Sequence, residues 1–186
     1  MIQPVKIRWN TRDVRVAGIE VRQLLPIDAA LYRDIRLEAL KLSPEAFGSA
    51  FETEHAEALT WFADRLESSA VFGAFDGTDL VGTAGFFIRQ GRKETHKGVL
   101  WGMYVRPEAR KAGVGKQLAE AVIDHACQCV ELIQLTVVSG NEPARRLYDS
   151  LGFIEYGIEK NSLKQDGHYW DEVLMAKPLS PPEARR

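Results

Sequence analysis

Apolar positions along the chain follow two spacings, and the switches between them outline the elements. Ile19 to Leu25 alternates apolar and polar residues, which predicts a strand. Pro26 and Asp28 open a helix over Ala29 to Leu42, where Leu31, Ile35, Leu37 and Leu40 recur at helical spacing until Ser43-Pro44 stops it. Glu52, Glu54 and Glu57 read as a polar, acidic linker to a second helical stretch, Leu59 to Leu66. Val71 to Phe75 and Leu80 to Ile88, joined at Asp76-Gly77, predict an antiparallel hairpin.

The next strand, Gly98 to Val105, is apolar on both faces. Strict alternation places Val99, Trp101, Met103 and Val105 on one side and Leu100, Gly102 and Tyr104 on the other, the pattern of a central strand. Val114, Leu118, Ala121, Val122 and Ala126 then mark an amphipathic helix. The strand after it, Leu132 to Val138, must run parallel to the first because the helix carries the chain back. Glu142 to Leu151 predicts a short helix closed by Gly152, and strands around Phe153 to Glu159 and Asp171 to Met175 pair across Gln165-Asp166-Gly167. Residues 1–17, an N-terminal tail or extra strand, and 180–186, a polar Pro-rich tail, flank one domain over 18–179.

Composition narrows the function classes. The 186 residues suit one domain, and 24 Lys plus Arg against 26 Asp plus Glu give a formal charge of -2, so no global positive field recruits nucleic acid or anionic membrane. No apolar run approaches the roughly 20 residues that span a bilayer, and the start carries no apolar signal core. Cys127 and Cys129 are two apart in a helix, a poor disulfide geometry, and read as free thiols of a cytoplasmic protein. The four histidines show no metal-ligand spacing.

The chemistry concentrates where the central strand hands over to a helix. In Arg110-Lys111-Ala112-Gly113-Val114-Gly115-Lys116 two glycines let a ligand approach the backbone, the first helical N–H groups are unpaired, and Arg106, Arg110, Lys111 and Lys116 surround them. That combination suits phosphate. A Walker A loop would need glycine and Ser or Thr where Arg110 and Gln117 stand. The dinucleotide fingerprint would need glycine where Leu118 stands.

The strand ending in Val105, followed by Arg110-x-x-Gly113-x-Gly115, resembles the acetyl-CoA signature of the GNAT superfamily of N-acetyltransferases. Asn141-x-x-Ala144-x-x-Leu147-Tyr148-x-x-Leu151-Gly152-Phe153 resembles that family's later signature, and Ser43 to Ser49 resembles a stretch of one bacterial branch, so the likeness runs from about Ile19 to Leu179.

The resemblance implies an α/β (α+β) fold whose mixed, mostly antiparallel sheet has a central splayed parallel strand pair flanked by helices. It implies acetyl-CoA as co-substrate. The pyrophosphate would rest on the turn from Arg110 to Lys116, and the pantetheine would pair with Met103, Tyr104 and Val105 and touch Asn141 and Ala144. Tyr148 would be the general acid, and the backbone N–H of Tyr104 would face the thioester oxygen. Acetyl would pass to a small-molecule amine by direct attack in a ternary complex. A peptide amine, as in protein N-terminal or lysine acetylation, and an idle acyl-CoA-binding module are the alternatives, and a homodimer through the C-terminal strands is implied by family analogy. Many members carry a base glutamate on the central strand, but Gly98 to Val105 has no carboxylate. Glu52, Glu54, Asp171 and Glu172, with His96 and His168, are then the candidate bases, and Trp61, Phe62, Trp101, Tyr169 and Trp170 the candidate acceptor wall.

Overall fold

In the computed structural model, which describes residues 18–179, seven strands form one sheet in the order β1-β2-β3-β4-β5-β7-β6. The chain runs β1 (Ile19–Gln23), α1 (Ala29–Leu42), α2 (Phe51–His55), α3 (Leu59–Ser68), β2 (Ala70–Asp76), β3 (Asp79–Ile88) and β4 (Lys97–Val105). It continues α4 (Val114–Ala126), β5 (Leu132–Val138), α5 (Glu142–Ser150), β6 (Ile154–Gln165) and β7 (His168–Pro178). Every neighbouring pair is antiparallel except β4 with β5. The predicted tails, 1–17 and 180–186, lie outside the described residues. No helix among those residues is long and apolar enough to cross a membrane.

Helices cover the sheet in two layers, each set by an apolar stripe. On one face Val114, Leu118, Ala119, Val122 and Ala126 of α4 pack with Phe86, Leu100, Ile133, Leu135, Val173 and Met175, and Tyr148 of α5 joins them. On the other face Tyr32, Ile35 and Ala39 of α1 meet Phe62 and Leu66 of α3 over Val71, Phe75 and Tyr104. Two glycines make room for rings at the sheet centre: a Cβ on Gly98 would stand 2.2 Å from the Phe86 ring, and one on Gly85 would stand 2.4 Å from Trp101. Gly98→Ala is expected to lower stability by about 1–3 kcal/mol through overpacking, read as a reduced urea midpoint.

Three features depart from the sequence reading. The central strand is not strictly alternating: Thr83 stands opposite Tyr104 and Gly85 opposite Trp101, so Gly102 and Met103 together oppose Ala84 alone. This is a β-bulge, and Gly102 adopts the φ of +63° that it requires. Leu100, Met103 and Val105 therefore belong to the α4 face, and Trp101 and Tyr104 to the α1 face. Second, the acidic linker contains the short helix α2, whose Glu54 is 2% exposed. Third, the last hairpin is longer than its apolar runs suggested, with β6 and β7 extending to a turn at Asp166-Gly167.

Candidate functional site

β4 and β5 pair only over Lys97–Val99 with Leu132–Gln134 and then part. The gap opens a cavity of about 90 Å³, lined by Leu100 to Met103 on one wall, Thr136 to Val138 on the other, and Ala46, Phe47, Asn141, Ala144 and Tyr148 around the rim. A strand that loses its neighbour leaves backbone donors and acceptors on that edge, which an extended amide-bearing ligand can satisfy.

The basic turn sits at the end of β4. Lys111 and Gly113 both have left-handed φ, 65° and 80°, which curls the backbone into the start of α4. Gln117 N–H donates to the Gly113 carbonyl at 3.1 Å, so the N–H groups of Val114, Gly115 and Lys116 come before the first helical acceptor. They lie at the positive end of a 13-residue helix. Gly115 abuts the cleft elements: a Cβ there would touch Leu147 of α5 at 3.4 Å and Val105 at 3.8 Å.

The surrounding cations are not equivalent. Arg106 is held by Glu38 at 3.0 Å. Arg110 Nε donates to the Val105 carbonyl at 2.9 Å, with its guanidinium over the Tyr104 ring. Lys111 and Lys116 are exposed, and Lys116 stands 3.8 Å from Glu120.

Tyr148 lines the cleft yet is 5% exposed, packed edge-on against Phe153 with ring centroids 5.7 Å apart. Burial pushes its hydroxyl pKa up, so it stays protonated and able to donate. Asn141 caps α5, its Oδ1 accepting the Ala144 N–H at 3.2 Å, and it also lines the cleft. The Tyr104 side chain turns away from the cleft. Burial, followed by a hydrogen bond to Glu38 Oε1 at 3.0 Å, raises its pKa to about 12. Glu38 thus ties α1 to the end of β4, beside the turn.

None of the candidate bases lines the cleft. Glu54 is bound by Arg36 and Arg65, Asp171 by Lys160 and the Asn161 N–H, and Glu172 accepts from Ser162, while Glu52 is exposed. His96 and His168 are exposed too. Of the five candidate aromatics only Trp101 forms part of the wall. Phe62 is core, and Tyr169 and Trp170 lie near the tip of the last hairpin. Sequence reasoning missed Phe47 and Arg36. Arg36 carried a signal, because it stands one turn after Tyr32 on the buried stripe of α1, where a charge requires a partner.

A model of the acetyltransferase (GNAT) family matches residues 36–153, which contain both cleft strands, the basic turn and Tyr148. The chain belongs to the GNAT family. Its sequence relatives include the L-amino acid N-acetyltransferase AaaT of Escherichia coli, 26% identical over 76% of this chain and 89% of the relative. The ribosomal protein bS18-alanine N-acetyltransferase of Salmonella typhimurium is 34% identical over 44% of this chain. The match spans 55% of that relative, about half its length. The fold matches a GNAT acetyltransferase from Streptococcus pneumoniae with a TM-score of 0.78 at 21% identity, over 87% of this chain and 99% of that one. It also matches an acetyltransferase from Salmonella typhimurium solved with acetyl-CoA, with a TM-score of 0.73 at 21% identity, over 91% and 98%. The mixed sheet with one splayed parallel pair is thus the GNAT arrangement.

Proposed function

We propose that this GNAT chain is an acetyl-CoA-dependent N-acetyltransferase that acetylates the primary amine of a small molecule by direct attack in a ternary complex. The observation that carries the reading is the splayed β4–β5 cleft, which has an anion-binding helix start at the end of β4 and the protonated Tyr148 hydroxyl on its rim. Acetyl-CoA, when bound, supplies an acyl group activated as a thioester. The amides from Gly113 to Lys116 seat its pyrophosphate, with Arg110, Lys111 and Ala112 shaping the approach. The backbone of Met103 and Val105 pairs with the pantetheine amides, and Asn141 and Ala144 border that arm.

The register directs the Tyr104 N–H at Thr83 of β3 and not into the gap, which removes Tyr104 as the expected oxyanion donor, while Tyr148 gives a proton to the departing sulfur. An amine near pKa ~10.4 must lose a proton before attack. With no carboxylate among the described residues of the cleft wall, water carries that proton out. The L-amino acid N-acetyltransferase relative supports a small acceptor; the partial match to ribosomal protein bS18-alanine N-acetyltransferases favours a peptide amine as the second reading.

Free-thiol release is measured with acetyl-CoA across small amines and N-terminal peptides, and turnover on small amines is expected. Tight acetyl-CoA binding without release on any amine would instead identify a non-catalytic module. Gly113→Val forces a β-branched residue to φ 80°, a strain of about 1–2 kcal/mol, and should raise the acetyl-CoA Kd roughly 5- to 30-fold in calorimetry.

A further inference from the structure

The charge of the cluster behind the cleft does not balance. Arg36, on α1, is 5% exposed and gives its Nε and Nη2 to the two oxygens of Glu54 at 2.9 and 2.7 Å. Arg65, on α3, reaches the same carboxylate at 3.2 and 3.3 Å. One buried carboxylate serves two guanidiniums, the buried Arg36 and the half-buried Arg65, so the cluster carries a net positive charge beside the cleft. The spare donor is Arg36 Nη1, which takes no part in these bonds. It lies 3.8 Å from where a Cβ on Gly102 would stand, at the bulge that forms part of the cleft wall. Phe47 and Trp101, both cleft residues, flank the same guanidinium at 5.1 and 6.0 Å.

We propose that Arg36 Nη1 is the anchor for a carboxylate on the acceptor, so that the preferred acceptors are free amino acids rather than simple amines or peptide N-termini. The proposal rests on reading the cleft as the acyl-transfer site. The carboxylate supplies the missing negative charge, and a guanidinium bond to it is charge-assisted. Gly102 suits this role because a side chain there would stand between the guanidinium and the cleft. An amine with no carboxylate brings a second cation towards a site that already has an excess, which disfavours its binding.

The test uses the full chain with CoA and a panel of N-acetyl amino acids from glycine to phenylalanine, each beside its carboxamide, with binding read by calorimetry. At least one acid should bind about 10- to 100-fold more tightly than its amide. Arg36→Lys, which keeps a cation for Glu54, should shrink that ratio towards one. Should the variant fail to fold, the acid-to-amide ratio of the unmodified protein decides alone. Equal binding of acids and amides, no binding of either, or a ratio that survives Arg36→Lys in a folded protein would overturn the proposal. Because binding is read without turnover, failure of the acetyltransfer reading appears separately, as no thiol release from any amine.

Discussion

Replacing Glu54 with glutamine is expected to destabilise the fold by about 3–5 kcal/mol, the largest effect of any single substitution considered. Glu54 is 2% exposed and accepts from Arg36 and Arg65, so the amide leaves the buried Arg36 and the half-buried Arg65 without a counter-charge and holds α2 less firmly to α1 and α3. Its titration gives a second readout. Burial alone would raise the carboxyl pKa, but the hydrogen bonds and charge of Arg36 and then Arg65 outweigh it and hold the pKa below the ordinary 4.5. The stability this supplies is therefore fully present above the unfolded-state value and is lost as pH falls through the lower, folded one. Urea unfolding of the wild type should weaken as pH drops below about 4.5, whereas Glu54→Gln should be weak already at pH 7 and show less of that fall. Equal stability at pH 7 would mean that the pair does not hold the helices.

Tyr148→Phe should lower kcat by about 10²-fold while the acetyl-CoA Kd changes little, since in the proposed reaction the hydroxyl acts on the departing sulfur and not on the nucleotide. The effect belongs at the low end of acid catalysis because a thiol with pKa near ~8.5 leaves without full protonation. Because burial raises the Tyr148 pKa, its protonated form persists through mildly alkaline pH, and kcat should show no falling limb from this group between pH 6 and 9. An unchanged kcat in the phenylalanine variant would remove Tyr148 from the reaction and leave it as a core ring against Phe153.

The order of elements and the single parallel pair were legible because apolar period and turn chemistry agree along most of the chain. Strand, basic turn and helix around Val105 to Val114 are local, and the structure puts them where the pattern does. Two features were hidden by their nature. The bulge at Gly102 adds one residue to a strand that is apolar throughout, so no polar position betrays the change of face. The Arg36–Glu54–Arg65 cluster joins residues up to 29 apart, and Glu54 on its own looks like one more solvated acid in a polar segment. Such pairing depends on how α1, α2 and α3 pack, which periodicity does not report. The cleft wall formed by Ala46 and Phe47 was hidden for the same reason, since it faces β5 only after α1 folds over the sheet.

The cleft between β4 and β5 is expected to receive acetyl-CoA with its pyrophosphate on the start of α4. A crystal structure of the protein with CoA tests it most directly. The expected result is pyrophosphate oxygens within hydrogen-bond distance of the amides between Gly113 and Lys116, and a pantetheine arm lying along Met103 to Val105 towards Tyr148. Pyrophosphate bound away from those amides, or a pantetheine arm outside the β4–β5 gap, would contradict it.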